Sequence, residues 1–375
     1  MANIVHFGKF FFPDTGGIES VTLSLAKGAA REGHNITVVC FQKKKSEGFE
    51  IVEGISVVRA PITKILASQP LGFKYFWECI LASKKADIVH MHAPNMLAAL
   101  CALFIPEKTR LLVHWHSDVL NKGILGFLFR PLESALLRRA NCIVATSQIY
   151  ADASKSLMPF RHKTTVVPIG VSDVTQLGNA SRLPLAIEER VSGRRIILAV
   201  GRLVAYKGFN VLIEAARYLT EKSVVVIVGN GPLLQDLQLA IDRGGVNDRV
   251  FLAGRLSDTA LHALFEGATL YCLPSINRAE AFGVVLLEAM SHGLPVVASD
   301  IPGSAVPWIN QHGHSGLNVP VSNPGALANA CNLILESEEL RDSLSLSARQ
   351  RFLAEFTEEV SVKRMMFTYM QLTST

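Results

Sequence analysis

The sequence predicts an α/β protein built from two doubly wound, Rossmann-like halves. Three observations carry that expectation. Near-continuous apolar runs of strand length recur along the whole 375-residue chain, as strands covered on both faces require. Stretches with helical apolar spacing separate them, and strand–helix alternation implies parallel sheets. The alternation is interrupted once, by a polar stretch at 172–194 carrying Gly, Ser, Asn and Pro, and then begins again.

In the first half the expected buried strands are NIVHF, NITVVC, DIVHMH, RLLVHWH, CIVATS and TTVVPIG, in that order. Between the first two, GIESVTLSLAKGAAREG has helical spacing and stops at Gly33. The second half repeats the scheme with RIILAVG, SVVVIVG, VFLAG, LYCLPS and PVVAS, and KGFNVLIEAARYLT forms the first crossover helix. From Arg341 onward the pattern is helical throughout. The expected organisation is a first domain over 1–173, a linker over 174–190, a second domain over 191–355 and a C-terminal helix over 356–375 returning to the first domain. Sheets of this kind bind ligands at the carboxyl ends of their strands, so the two domains are expected to face a shared cleft.

Composition narrows the function. Residues are 49% apolar and 18% charged, which excludes a disordered chain. No segment reaches the ~18–20 apolar residues of a membrane span; MLAALCALFI at 96–105 is too short. The opening MANIVHFGKFFFP lacks the basic start of a secretory leader. Six scattered cysteines form no C-x-x-C pair, so buried free thiols are expected rather than disulfides or zinc. Up to residue 185 there are 21 Lys and Arg against 13 Asp and Glu; the remainder has 16 against 19. A basic first half suits an anionic partner, although an uneven scatter of solvated lysines would give the same count.

The motifs sit where such folds hold ligands. GRLVAYKG (201–208) follows the strand IILAV, and a glycine-bearing loop between strand and helix can cradle phosphate. Arg202 and Lys207 add two cations there, although a solvated surface turn would carry similar residues. GNGP (229–232) closes the next strand. EAFGVVLLE (280–288) frames a helix start with two acids. If that helix begins near Gly283, the amides of Phe282, Gly283 and Val284 form an anion site. Eight helical residues rise ~12 Å, so Glu280 and Glu288 can accept hydroxyls on either side of a diphosphate. In the first half, FFFPDTGGIES pairs Gly16 and Gly17 ahead of a helix, with Glu19 in its first turn. HWHSD (114–118) ends a strand, and His116 and Asp118 can contact a sugar or handle a proton. His90 and His92 repeat the i, i+2 spacing of His114 and His116, but no carboxylate or cysteine completes a metal site, and none is expected.

Taken together, these residues resemble the retaining glycosyltransferases of family 4, which have the GT-B architecture. The resemblance spans nearly the whole chain: the glycine pair, HSD, PIGV, GRLVAYKG, GNGP and EAFGVVLLEAMSHGLPVVAS. HWHSD and LLRRANCIVATS are most similar to enzymes of bacterial surface-polysaccharide (O-antigen type) assembly, mannosyltransferases among them. Ala281 stands where the family often has Pro or Gly.

The resemblance implies roles. Arg202 and Lys207 would bind the donor diphosphate, completed by the amides of residues 282–284 and by Gly17. Glu288 would take the ribose hydroxyls, and Arg255 and Leu256 would lie by the base. Glu280 would hold the donor sugar, with His116 beside it. Gly16, Glu19 and Asp118 would serve the acceptor. The implied reaction is metal-independent hexosyl transfer with retention, by front-face attack or, less favoured, double displacement. The donor is a nucleoside diphosphate sugar, GDP-mannose narrowly ahead of a UDP-sugar, with no cofactor. The acceptor would be a polyprenyl-diphosphate-linked or other glycolipid at the inner face of the cell membrane, and not nucleic acid. Lys74, Lys84, Lys85, Arg130, Arg138 and Arg139, with Phe10–Phe12, are the candidate membrane contacts. A nucleotide-sugar epimerase or a non-catalytic sugar-nucleotide scaffold are the alternatives. A nicotinamide oxidoreductase is disfavoured, because no G-x-G-x-x-G follows the first strand.

Overall fold

Two sheets form where the apolar runs fall. The computed structural model describes residues 1–14, 16–42, 48–66, 69–118, 123–173 and 183–374, with backbone alone at 123–128. It divides into unit 1, Met1–Gly170 with Glu358–Thr375, and unit 2, Val171–Thr357. Residues 174–182 of the expected linker lie outside the described ranges. Beyond them, Leu185–Val191 is a helix. Val171 and Asp173, expected in the first domain, belong to unit 2. Val171 pairs with Thr357, and Asp173 forms an ion pair with Arg349 at 2.8 Å.

Unit 1 contains β1 (Asn3–Phe7), β2 (Asn35–Gln42), β3 (Gly48–Val52), β4 (Ile55–Pro61), β5 (Lys64–Leu66), β6 (Gln69–Leu71), β7 (Ile88–Ala93), β8 (Arg110–Trp115), β9 (Cys142–Ala145) and β10 (Thr164–Val166). The order in its main sheet is β10-β9-β8-β7-β1-β2-β4-β3, while β5 and β6 form a separate hairpin. All neighbours in the main sheet run parallel except the edge strand β3, which is antiparallel to β4. The C-terminal helix Glu358–Ser374 packs on the helix Gly17–Arg31 and is tied down by Ser361 Oγ, which donates to the Pro168 carbonyl at 2.8 Å.

Unit 2 contains β11 (Arg195–Val200), β12 (Ser223–Val228), β13 (Val250–Gly254), β14 (Leu270–Leu273), β15 (Val296–Asp300) and β16 (Gly316–Pro320). These are all parallel, in the order β13-β12-β11-β14-β15-β16. One face of the sheet packs Ile197, Ile227 and Val297 against the helices Phe209–Ala215 and Pro324–Glu336. The crossover after β13 turns back to β14, which by right-handedness places the next helices on the opposite face. Chain order therefore reverses between β11 and β14, and the carboxyl ends there form a topological switch point.

The six cysteines are free, and all but the half-buried Cys142 are buried. Among the described residues no helix is long and apolar enough to cross a membrane. Phe11 is fully buried. This removes it from the expected apolar contact at Phe10–Phe12, because the loop after β1 folds inward.

The core of unit 1 holds a polar feature that the strand patterns did not announce. His6 on β1, His90 and His92 on β7, and His114 and His116 on β8 share one face of the sheet and are all buried. His6 Nδ1 lies 3.0 Å from His92 Nε2, and His92 Nδ1 lies 3.0 Å from His116 Nε2. A second row runs from the Tyr369 hydroxyl to His90 Nδ1 at 2.5 Å and from His90 Nε2 to His114 Nδ1 at 3.2 Å. Bonded rings stand 5.3–5.4 Å apart at interplanar angles of 12–30°. That separation is the N···N contact plus two ring radii, so each contact is collinear and in plane, the geometry of N–H···N hydrogen bonds. An ion ~2.0 Å from both nitrogens has no room on such a line.

The two rows stack on each other, His114 on His116 at 4.1 Å and His90 on His92 at 4.4 Å. Each neutral imidazole has one N–H and one lone pair, so a row must point its protons one way. The Nε2 atoms of His6 and His114 end the rows without a partner among the described residues.

Burial holds all five imidazoles below their usual range, His6 and His116 at about 3. Between pH 6.5 and about 3 the unfolded chain therefore binds more protons than the folded one. Stability is full above pH 6.5 and falls as pH drops through this window, by ~1.4 kcal/mol per pH unit for each such histidine. Urea melts should show this steep loss with uptake of several protons, and a flat profile between pH 7 and 5 would refute neutral rows.

Candidate donor-sugar site

The chemistry-bearing residues of unit 2 collect at the switch point. After β11 the chain makes the loop 201–208, with a tight turn at Ala205–Lys207, and enters the helix Phe209–Ala215. After β14 it runs through Pro274 and Ser275 to Glu280 and Gly283, and the helix Val284–Ser291 follows. The two loops dock closely. The Ile276 amide donates to the Tyr206 carbonyl at 2.8 Å. Gly208 has φ +66°, and a Cβ there would overlap the Pro274 carbonyl. Only glycine lets the backbones approach this far, and that approach brings Lys207 to Glu280.

Lys207 Nζ lies 2.7 Å from Glu280 Oε2, both side chains being nearly buried. Ser275 Oγ donates to the same oxygen at 2.7 Å. Both bonds fall on Oε2, which leaves Oε1 for another donor. Ser304 fixes the backbone behind Glu280, its hydroxyl donating to the Glu280 carbonyl at 2.5 Å, and the Ala305 amide donates to Ala281 at 3.0 Å. Gly283 adopts a left-handed conformation, φ 81°, and no side chain caps the helix it opens. Its first amides are left for a ligand. Phe282 is buried against Phe356, so its contribution is backbone.

Glu288 sits in the second turn of this helix, half-buried. Burial pushes its carboxyl up to about 7, Asp258 adds to the rise, and Lys207 opposes it. Only residues 284–288 of the framed stretch are helical, because 280–283 is loop. The ~12 Å rise of an unbroken helix therefore does not describe the spacing of the two acids.

Arg202 is exposed beside Tyr206. Burial raises the Tyr206 phenol and Glu280 adds to the rise, while Lys207 and Arg202 pull it down. Gly229 of GNGP lies directly on the Gly201 carbonyl, a contact that a Cβ would forbid. The Gly229 amide donates to Gly254 at 2.8 Å, next to the exposed Arg255 and the half-buried Leu256. The loops after β11, β12, β13 and β14 thus adjoin one another.

The candidates in unit 1 are more committed internally. His116 uses Nε2 within the imidazole row, and its lowered pKa keeps it neutral near pH 7. The Asp118 carboxylate accepts from Trp115 Nε1 at 2.9 Å and Ser154 Oγ at 2.6 Å, which pins the loop after β8. Gly16 precedes the helix Gly17–Arg31, where Glu19 folds back over it, and Gly17 has open space at its Cβ position. Sequence reasoning missed Ser275, Ser304 and His6. Ser275 stands between β14 and Glu280 in LPS, and the signal was its place at a strand's carboxyl end.

Comparison with known proteins settles the family. The model "Glycosyltransferase Family 4" matches residues 15–174, and "Glycosyl transferases group 1" matches residues 185–351. The O-antigen chain mannosyltransferase C of Escherichia coli is 31% identical over 357 residues, covering 95% of both chains. The chain belongs to the family 4 glycosyltransferases. The D-rhamnosyltransferase WbpZ of Pseudomonas aeruginosa is also 31% identical, over 94% of this chain and 92% of its own. Anabaena HepE, solved in complex with UDP and glucose, shares the fold with a TM-score of 0.81 at 19% identity, over 99% of this chain and 100% of its own. This glycosyltransferase therefore has the GT-B architecture that its motifs implied.

Two outcomes follow for the glycosyltransferase. Ser275→Ala should lower kcat by about tenfold, ~1.4 kcal/mol, with nucleotide affinity nearly unchanged, because Ser275 orients Glu280 alone; equal loss in both would show a general structural defect. If Glu288 takes the ribose hydroxyls as the resemblance implies, nucleoside diphosphate affinity should rise with pH through an inflection near 7 as its carboxyl ionises. Glu288→Gln should flatten that profile in calorimetric titrations.

Proposed function

We propose that the chain is a retaining hexosyltransferase. It would move a sugar, with mannose narrowly preferred, from a nucleoside diphosphate donor to a lipid-linked saccharide in bacterial surface-polysaccharide (O-antigen) synthesis. The observation that supports this reading most is the buried Lys207–Glu280 contact beside the uncapped helix Val284–Ser291. It joins a cation, an anion-seeking helix end and a carboxylate with one oxygen unused, the three elements that a sugar diphosphate needs. The names of the relatives favour mannose or a related 6-deoxyhexose, and HepE was solved with UDP-glucose as well as with UDP.

In this reading Lys207, Arg202 and the helix amides hold the diphosphate and stabilise the charge that develops as the glycosidic bond breaks. Glu280 Oε1 accepts a hydroxyl of the donor sugar, and Glu288 takes the ribose. The reaction runs without metal or cofactor, the protein cations neutralising the leaving group. The leaving phosphate takes the acceptor's proton, and front-face attack retains the anomeric configuration. The enzyme works at the inner face of the cell membrane, where its lipid-linked acceptor resides.

A thermal-shift panel of GDP, UDP, ADP and dTDP tests the donor assignment. One nucleotide, GDP in preference to UDP, should stabilise the protein, and Lys207→Ala should remove that shift; an unchanged shift would contradict the phosphate role. NMR of the product formed from an α-linked donor should show an α linkage, and a β product would refute retention.

A further inference from the structure

The row His6–His92–His116 has one closed end and one open end. His6 is fully buried on β1, and its Nε2 finds no partner among the described residues. His116 stands one residue beyond β8, at the carboxyl rim of unit 1, and is 6% exposed. Its Nε2 meets His92, while its Nδ1 bonds no described residue and is not one of the enclosed orphan nitrogens. The open end can be satisfied whichever way the protons point, so the closed end decides their direction. Protons running from His116 to His6 would strand an N–H at His6 Nε2. Protons running from His6 to His116 leave only a lone pair there. A buried donor without a partner is the rarer of the two orphans, as it is for backbone groups. His6 Nδ1 therefore donates to His92 Nε2, His92 Nδ1 donates to His116 Nε2, and His116 carries its own proton on Nδ1, at the rim.

A second, independent observation agrees. The neighbouring row lies face to face with this one, with ring centroids 4.1 and 4.4 Å apart, and stacked dipoles attract when they run in opposite senses. The opposite sense has His114 Nδ1 donating to His90 Nε2 and His90 Nδ1 donating to the Tyr369 oxygen, whose own hydrogen turns to suit its surroundings. That choice again leaves a lone pair, not an N–H, at the other enclosed orphan, His114 Nε2. One pattern, with every proton on Nδ1, satisfies both rows.

We propose that His6 and His92 are positioning residues, which fix His116 as the Nδ1–H tautomer and so present a hydrogen-bond donor, not a base, to a substrate oxygen at the rim of unit 1. The tautomers are linked along the row. For His116 to offer a lone pair at Nδ1, its proton must move to Nε2, where it faces the His92 N–H, or all three imidazoles must reverse and strand a donor at His6. Burial holds all three neutral near pH 7, which removes the remaining option of an added proton. A neutral N–H of this kind recognises an oxygen lone pair, and a sugar hydroxyl supplies one. The inference rests on the hexosyltransferase reading for the class of substrate, and it deepens that reading. Of the two uses open to His116, touching a sugar or handling a proton, it keeps the first and leaves the acceptor's proton to the departing phosphate.

Proton–nitrogen correlation NMR on the full chain, labelled at histidine and free of substrate, reads the tautomers near neutral pH. His116→Gln identifies the His116 signal, which should show its proton on Nδ1; a proton on Nε2 would overturn the proposal. Two replacements of His92 separate positioning from packing. His92→Asn places an amide N–H where Nδ1 stood and still donates to His116, whereas His92→Phe keeps a ring and donates nothing. His116 should stay in the Nδ1–H form in the first variant and show both forms in the second. Release of nucleoside diphosphate from GDP-mannose, or from UDP-glucose, should follow the tautomer, with kcat about tenfold lower for His92→Phe and largely restored for His92→Asn. A packing role predicts the reverse order, since Phe fills space that Asn leaves empty, and that order would also overturn the proposal. If a His92 variant does not fold, the tautomer of the unaltered protein decides alone. The nucleotide thermal shift is read on the same unaltered protein: its absence would sink the transferase reading, whereas a proton on His116 Nε2 with the shift intact would sink the role of the row alone.

Discussion

A lysine and a glutamate buried together at the switch point of a parallel sheet are the constraint on which the donor site depends. Removing both charges from water costs more than an ordinary core contact returns, so such a pair is a poor way to stabilise a fold. Here the geometry limits the cost: the Glu280 oxygen that meets Lys207 also accepts from Ser275, while the second oxygen stays uncommitted. The pair exists because two loops that follow adjacent strands are pressed together at Gly208 and Pro274. It is thus a property of the strand order, β11 beside β14, as much as of the two side chains. Under the proposed function, a donor entering there would meet charges already oriented, the form of preorganisation that stabilises a departing phosphate.

The two units solve the burial of polar chemistry differently. Unit 2 holds its buried Lys207–Glu280 pair at the carboxyl rim and fills its sheet with aliphatic residues. Unit 1 places five imidazoles inside, bonded to one another in collinear pairs and to the C-terminal helix through Tyr369. Buried polar groups survive when they bond each other, and the rows meet that condition everywhere but at their two terminal nitrogens. The bond from Tyr369 to His90 also joins the last helix of the chain to a central strand of unit 1. Low pH strains both features together, since protonating His90 or His92, each bonded through both ring nitrogens, breaks a lone-pair contact.

Much of the fold was legible because parallel strands buried on both faces leave an unmistakable mark. DIVHMH and SVVVIVG read as strands and are strands. The edge pieces were not legible. β3 and β4 flank a turn at Glu53 and Gly54, with φ 52° and 80°, and β3 is half water-facing. It lacks the apolar run, and the only signal was the turn itself. β16, GLNVP, is short and contains an asparagine; its place was fixed by pairing with β15. Among the site candidates, Lys207, Glu280 and Glu288 stood out by residue type. Ser275 did not, because a lone serine after a strand has many uses.

The sequence by itself determined the fold class and the family and offered candidates for holding a sugar diphosphate, because strand periodicity and loop chemistry are local properties of the chain. Tertiary structure alone decided which of those residues meet. It joined Lys207 to Glu280 across a gap of more than seventy residues, and it started the helix at Val284, beside the expected Gly283, so that loop as well as helix separates the two acids. It also gathered His6, His90, His92, His114 and His116 into two rows from three separate strands. Strand order and register set these distances, and both come from the packing of the whole sheet rather than from any segment of it.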